Sequence, residues 1–414
     1  MKEFLNLLRT EFKRIFSNSV LCAIFFGAPV LYGILFGYVY QQATVLNLPI
    51  VIVDQDNSPL TDRIIDAFED NEGLLVIDRR YNPGNILEEM PVAQYAAVVT
   101  FPSGFEADVL QKRYPEVRVD LNMANILNAN TASKNIQQVL MTLNAGIEIE
   151  GLKKQGLPPA AAKASFESFK VNFNKLYNST GNYLNFMLPG LLGAIMQQVI
   201  FLAMALVFAR DFEDGYFREL VKTGKSSVYL IALKATPFVL FLPVMWFIVS
   251  RLFVFFNVQA DIFNLPMLVL VLLLSLASIG VGMLFSVAIP NQLKATELLM
   301  VISTPAFVLS GFTWPSLAIP VFINGIAQSI PVTSFLSAFR KVAYYGGNIA
   351  DILPEIKLLL IITAITFTAM ALILQIKINK TRRRLTAKKR FPSFHKPEKI
   401  RERNRFILKL LFYF

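Results

Sequence analysis

The sequence predicts a polytopic α-helical membrane protein of six spans with an extracytoplasmic α/β domain inserted between the first two. Three observations predict it. Of 414 residues, 54% are hydrophobic and only 17% charged, against roughly 45–50% and about 25% in soluble domains. Six apolar runs are long enough for a bilayer core about 30 Å thick, which takes roughly 20 residues at about 1.5 Å each. The first two runs are separated by a polar segment, 41–183, with strand and helix patterns of its own.

Val20 to Tyr40 is the first run and Leu184 to Ala209 the second; the others fall at about 229–256, 262–289, 295–314 and 354–376. The first is too long for the apolar region of a signal peptide and no A-x-A-like site follows it, so it reads as a retained anchor. Residues 1–19 hold four basic and two acidic residues, and the tail 377–414 holds fourteen basic and two acidic. By the positive-inside rule both termini are cytoplasmic. Segment 41–183, with twelve basic and seventeen acidic residues, belongs outside. A single cysteine, Cys22, excludes an internal disulfide framework, and a single histidine, His395, argues against His-based catalysis. The basic tail 379–414 reads as adhering to membrane lipid rather than as a nucleic-acid arm.

Before the first run, residues 1–19 form an amphipathic helix with Phe4, Leu5, Leu8, Phe12, Ile15 and Phe16 on one face, suited to lying along the cytoplasmic leaflet. In the outer segment "LPIVIVD" (48–54) is a buried strand. "SPLTDRIIDAFED" (58–70) opens a helix with Ser58 as N-cap and Pro59 at its first position. "LLVIDRR", "YAAVVTFP" and "VRVDLNM" are further strands, and from about Asn128 the pattern is helical. Asp54, Asp56 and Asn57 invite a metal or acid–base reading, but the EF-hand's Gly and Glu are missing. A strand-to-helix turn uses the same residues to accept backbone hydrogen bonds; ligand or partner contact and catalysis are the weaker alternatives.

Two further motifs are decoys. "GKSS" (224–227) has Glu219 where a Walker A loop needs its first Gly, and no strand precedes it. "NST" (178–180) matches a glycosylation sequon by a pattern that is common by chance. More informative is the loop at about 209–228. Asp211, Glu213, Asp214 and Glu219 lie there among Arg210, Arg218, Lys222 and Lys225, and Phe212, Phe217, Leu220 and Val221 give it an apolar side. A solvated connector needs no Phe pair, so these read as a docking helix for a cytoplasmic partner. At about 315–345, Gly311, Pro315, Pro320, Gly325 and Pro331 interrupt an apolar stretch, which predicts two short helices re-entering the outer leaflet. Gln197 and Gln198 lie midway along the second run, and either a helix–helix contact or a substrate path should satisfy them. Glu297 and Arg251 lie near run ends and read as interfacial.

With these residues in view the chain resembles a type-2 ABC transporter permease of the exporter subfamily with a large extracytoplasmic domain. The resemblance rests on Leu48, Pro49, Val51, Asp54, Gln55, Asp56 and Ser58; on Phe186 to Leu191; and on Arg210, Asp211, Glu213 and Gly215. Lys234, Pro237, Asn291, Gln292, Leu309 to Phe312, Pro320, Ile330, Pro331 and Gly346 follow in the family's order. It runs from about residue 1 to 378. Tyr216 and Arg218 depart from the family, which has Thr and frequently Glu there, and the tail is longer and more basic.

The resemblance implies a permease of the bacterial inner membrane, not itself an enzyme and with no cofactor in this chain. ATP and Mg belong to a cytoplasmic ATPase subunit, and a second permease subunit completes the pair. Arg210, Asp211, Phe212, Glu213, Gly215, Phe217 and Leu220 would couple to the ATPase. Gln197, Gln198, Pro305 and Ser310, on the second and fifth spans, would line the substrate path. A periplasmic adaptor with an outer-membrane channel is a further candidate partner. The expected cargo is an amphiphilic or hydrophobic drug or lipid-like molecule; sodium or polysaccharide export, or a receptor using the outer domain as its ligand module, are the alternatives.

Overall fold

The computed structural model describes residues 2–42, 44–82, 95–166 and 182–390. The sequon at 178–180 and the tail from 391 onward lie outside the described residues. The chain divides into two compact units, Met1–Gln41 with Tyr183–Phe414, and Gln42–Asn182.

In the first unit α1 (Lys2–Phe16) precedes α2 (Ser19–Val39), the first of six helices long and apolar enough to cross a membrane. The Asn18 side chain accepts the Leu21 N–H to cap α2, which carries one π-helical turn at Ala23–Gly27. The second unit intervenes, and α7 to α15 follow it. They are α7 (Tyr183–Asp214), α8 (Tyr216–Lys222), α9 (Ser227–Phe255), α10 (Leu265–Ala288), α11 (Gln292–Ser303), α12 (Ala306–Leu309), α13 (Val321–Gln328), α14 (Pro331–Ala343) and α15 (Leu353–Arg390). Local chemistry sets the starts: Ser226, Asn264 and Asn291 each accept a backbone N–H as N-caps of α9, α10 and α11.

The fifth run departs from its expected span of about 295–314. It begins at Gln292, because Asn291 caps it there, and its helix is over by Leu309. Pro305 interrupts it, and Gly311, at φ +77°, turns the chain away. Beyond, α13 and α14 are bent by 89° from one another.

The centre of this unit is α10, packed on α7 and α15. Small residues permit the approach: a Cβ on Gly282 would stand 2.5 Å from the Met204 Cβ. Ser275 and Ser278 turn their hydroxyls onto the carbonyls of Val271 and Leu274 within the same helix, at 2.7 and 2.6 Å. Ser286 instead accepts the N–H groups of Phe208 and Ala209 of α7, each at 2.9 Å.

The second unit carries β1 (Leu48–Asp54), α3 (Pro59–Glu69), β2 (Leu74–Arg80), β3 (Ala97–Phe101), α4 (Phe105–Leu110), β4 (Arg118–Leu121), α5 (Ile126–Lys154) and α6 (Pro159–Phe166). Strand order is β2-β1-β3-β4, with β1 parallel to both neighbours and β4 antiparallel to β3. The central position of β1 explains its unbroken apolar run. Ile50 and Ile52 face Leu60, Ile64, Ile65 and Phe68 of α3 and Ala132 and Ile136 of α5, while Val51 and Val53 pack with Tyr95 and Val98.

Candidate functional site

Three helices, α1, the end of α7 and α9, meet in one cluster of charges. Lys234, on α9 with only 3% of its side chain exposed, places Nζ 2.8 Å from Glu11 Oε2 of α1 and 2.6 Å from Asp211 Oδ2 of α7. The other Asp211 oxygen accepts from Arg14 Nη2 at 2.8 Å. Arg14 lies 3.5 Å from Asp214 and stacks 3.9 Å from the centre of the Tyr216 ring. Arg210 reaches Asp214 at 3.4 Å and donates to the Arg14 carbonyl at 3.2 Å. Glu11, Asp211 and Asp214 thus balance Arg14, Arg210 and Lys234. Burying charge is costly unless it is paired, and removing one partner of such a pair costs about 3–5 kcal/mol, so the cluster locks α1, α7 and α9 together.

Its placement follows from local structure. Arg210, Asp211 and Asp214 share the last turns of α7, and Gly215, at φ +76°, ends that helix and turns the chain into α8. Glu11 and Ile15 are the buried residues of α1, one turn apart, whereas Leu5 and Phe16 stay 56% and 58% exposed. The inward line of α1 therefore runs through Glu11, which the apolar face read from sequence passes over.

The docking argument for the aromatic pair is corrected by α8. Phe217, Leu220 and Val221 are buried in the chain's own core, and Phe212 packs edge-on to Phe217 with ring centres 4.7 Å apart. Lys377 of α15 lies 4.5 Å over the Phe212 ring. The apolar side that an outside partner was expected to cover is covered from within. What α8 presents outward is Arg218, Glu219 and Lys222. Glu213 accepts the Gln292 N–H at 2.9 Å, and the Gln292 side-chain amide as well, tying the end of α7 to the start of α11. Asn291 and Gln292 were legible as a motif but not as this joint.

The remaining predicted residues separate. Gln197 Oε1 accepts the Val332 N–H at 2.7 Å, a helix–helix contact with the first turn of α14, while Gln198 is half-buried. Pro305 is exposed at the break in the fifth span. Ser310 donates to the Phe307 carbonyl and accepts the Phe312 N–H at 3.2 Å. Pro315, Pro320 and Pro331 each stand where a short helix begins.

In the second unit, Asp54 Oδ1 accepts the N–H groups of Asp56 and Asn57 at 3.2 and 2.9 Å. Its Oδ2 accepts from Thr61 Oγ1 at 3.1 Å and Arg79 Nη2 at 2.8 Å. Ser58 and Thr61 form a reciprocal capping box. Burial pushes the Asp56 carboxyl up, but hydrogen bonds from Ser58 and the backbone of Glu106, Gly104 and Phe105 outweigh it and hold the group below its ordinary value. The acids close a turn between β1 and α3.

Six helices long and apolar enough to cross a membrane, with a charge cluster that ties the second and third to α1, define a polytopic helical membrane protein. Residues 19–373 match the model described as ABC-2 family transporter protein, and the chain belongs to that family. It is 24% identical over 363 residues to the inner membrane transport permease YhhJ of Escherichia coli, covering 80% of this chain and 87% of that protein. With the probable multidrug ABC transporter permease YbhS of E. coli it shares 28% over 217 residues, 50% of this chain and 54% of that one. The linearmycin resistance permease protein LnrN of Bacillus subtilis is 22% identical over 396 residues, 89% of this chain and 98% of its own.

Proposed function

We propose that the chain is the membrane subunit of an inner-membrane ABC exporter, that the cluster around Lys234 is its coupling joint, and that an amphiphilic or hydrophobic molecule is its cargo. Membership of the family implies a separate ATPase subunit. The observation that carries the reading is that Arg210, Asp211 and Lys234, all family-motif positions, converge with α1 on one charge network whose Glu11, Asp211 and Lys234 are buried. A push on α8 would reach α1, α7 and α9 as one body. The ATPase then docks on the polar face of Arg218, Glu219 and Lys222, not on the Phe pair. Charge counts support cytoplasmic termini and an external second unit, where an adaptor would bind. Exposed Leu293, Leu298, Met300 and Val301 on α11 support pairing with a second permease subunit along the fifth span. The names of YbhS and LnrN support a drug-like amphiphile.

Affinity purification of the full-length permease from its own membranes tests this. An ABC ATPase subunit should accompany it, and Arg218→Glu with Lys222→Glu should release that subunit while insertion and thermal stability are kept. Undiminished capture would remove α8 as the docking face. Absence of any ATPase from the wild-type preparation would remove the coupling reading altogether.

A further inference from the structure

A cavity of about 250 Å³ opens where the fifth span ends and α14 passes, lined among others by Phe312, Ser316, Gln328, Leu336, Arg340 and Lys341. Its two cations differ. Lys341 is spoken for, 2.7 Å from Glu355 and bonded to the Asp351 carbonyl. Arg340 has no carboxylate within ion-pair distance among the described residues. Its guanidinium lies 4.1 Å from the centre of the Phe312 ring and 5.3 Å from that of Phe186, and it donates to the Phe312 carbonyl. A guanidinium carries five N–H donors in a planar fork matched to carboxylate and phosphate, so most of this fork is left for something else. The lining is mixed, with Phe312 and Leu336, 3% and 1% exposed, as its apolar side chains beside the hydroxyls of Ser310, Thr333 and Ser337.

We propose that this cavity binds the anionic headgroup of an amphiphile, a carboxylate or phosphate held by Arg340 with the first carbons of its chain against Phe312 and Leu336. Ser316 and Gln328 add hydrogen-bonding capacity at the rim. The assignment rests on the amphiphile-export reading above, in that it names the charge of the cargo or of a lipid travelling the same route. A resident anionic lipid and an exported amphiphile share this headgroup chemistry.

The test is direct binding to the full-length permease in phosphatidylcholine nanodiscs without ATPase, so that a failure of coupling cannot pass for a failure of the site. Trp314 lies between two lining residues and Trp246 is the other tryptophan, so Trp246→Phe leaves one fluorescent reporter. Dodecanoate and dodecyl phosphate should bind and change its emission, and dodecyltrimethylammonium should not. Arg340→Gln should weaken the anions about tenfold or more, equivalent to one charge-assisted pair, and Arg340→Lys should restore part of the loss. Ser316→Asp, which keeps Arg340 and adds a carboxylate at the rim, should also weaken them. Equal affinity in wild type, Arg340→Gln and Ser316→Asp, or binding of the cationic amphiphile as tightly as the anions, would overturn the proposal. If dodecanoate weakens when phosphatidylglycerol replaces phosphatidylcholine in the discs, the occupant is a resident lipid; if it does not, the site takes exported amphiphile.

Discussion

Lys234 and Arg340 are both cations on membrane helices, and the chain treats them in opposite ways. Lys234 is enclosed by two carboxylates supplied from α1 and α7, with Arg14, Arg210 and Asp214 completing a neutral set. Arg340 is set between aromatic rings beside a cavity and given one carbonyl. A neutral set of paired charges, buried at Glu11, Asp211 and Lys234, holds three helices to one another. Arg340 joins α14 to the Phe312 carbonyl and the Phe186 ring, and no carboxylate among the described residues pairs with it.

The sharpest way to break this contrast is Lys234→Met, which strands the buried Glu11 and leaves Asp211 with Arg14 alone. It should cost about 3–5 kcal/mol, read as a large drop in the melting temperature of the purified protein. Replacing Glu11, Asp211 and Lys234 together by Leu, Leu and Met should recover much of that stability without recovering export. If it recovers both, the cluster is packing and not a joint. In the second unit, Asp54→Asn takes the charge from Arg79 while leaving Asp62 at 2.6 Å. It should cost about 1–3 kcal/mol, seen as faster amide exchange across β1 and α3, with ATP turnover unchanged. Arg340→Met should cost under about 1 kcal/mol, near a single neutral hydrogen bond; a loss as large as that of Lys234→Met would erase the distinction. The smallest effect is at Asp56. Its folded carboxyl titrates below the ordinary value of 3.8, so its contribution is present above that value and is lost as pH falls through the folded one. The difference in exchange protection between wild type and Asp56→Asn should be present at pH 7 and shrink toward pH 3.

Much of the fold is legible because membrane helices announce themselves by length, and because Ser58 marks the start of α3 whatever surrounds it, whereas the caps Asn264 and Asn291 set starts that the runs drawn from 262 and 295 missed. The site is legible only in part. The spacing of Phe217, Leu220 and Val221 says that α8 has an apolar face, but not whether a partner or the chain itself covers it. Lys234 and Glu11 are separated by 223 positions, and no local pattern records such a pairing. Arg340 lies in a stretch whose prolines dominate the reading. Its importance lies in what it lacks, which a single sequence does not display.

The last helix has a consequence of its own. At 38 residues, α15 is about 57 Å long, while a bilayer core takes about 30 Å. The surplus leaves the membrane as a rod, and Arg382 on it donates to the Lys225 carbonyl just past α8 at 3.0 Å. A tilt of about 10° around a pivot at mid-bilayer would swing its far end through about 7 Å. The sixth span is thus also a pointer, by which a change too small to see among packed helices becomes a displacement that a pair of spin labels could measure in water.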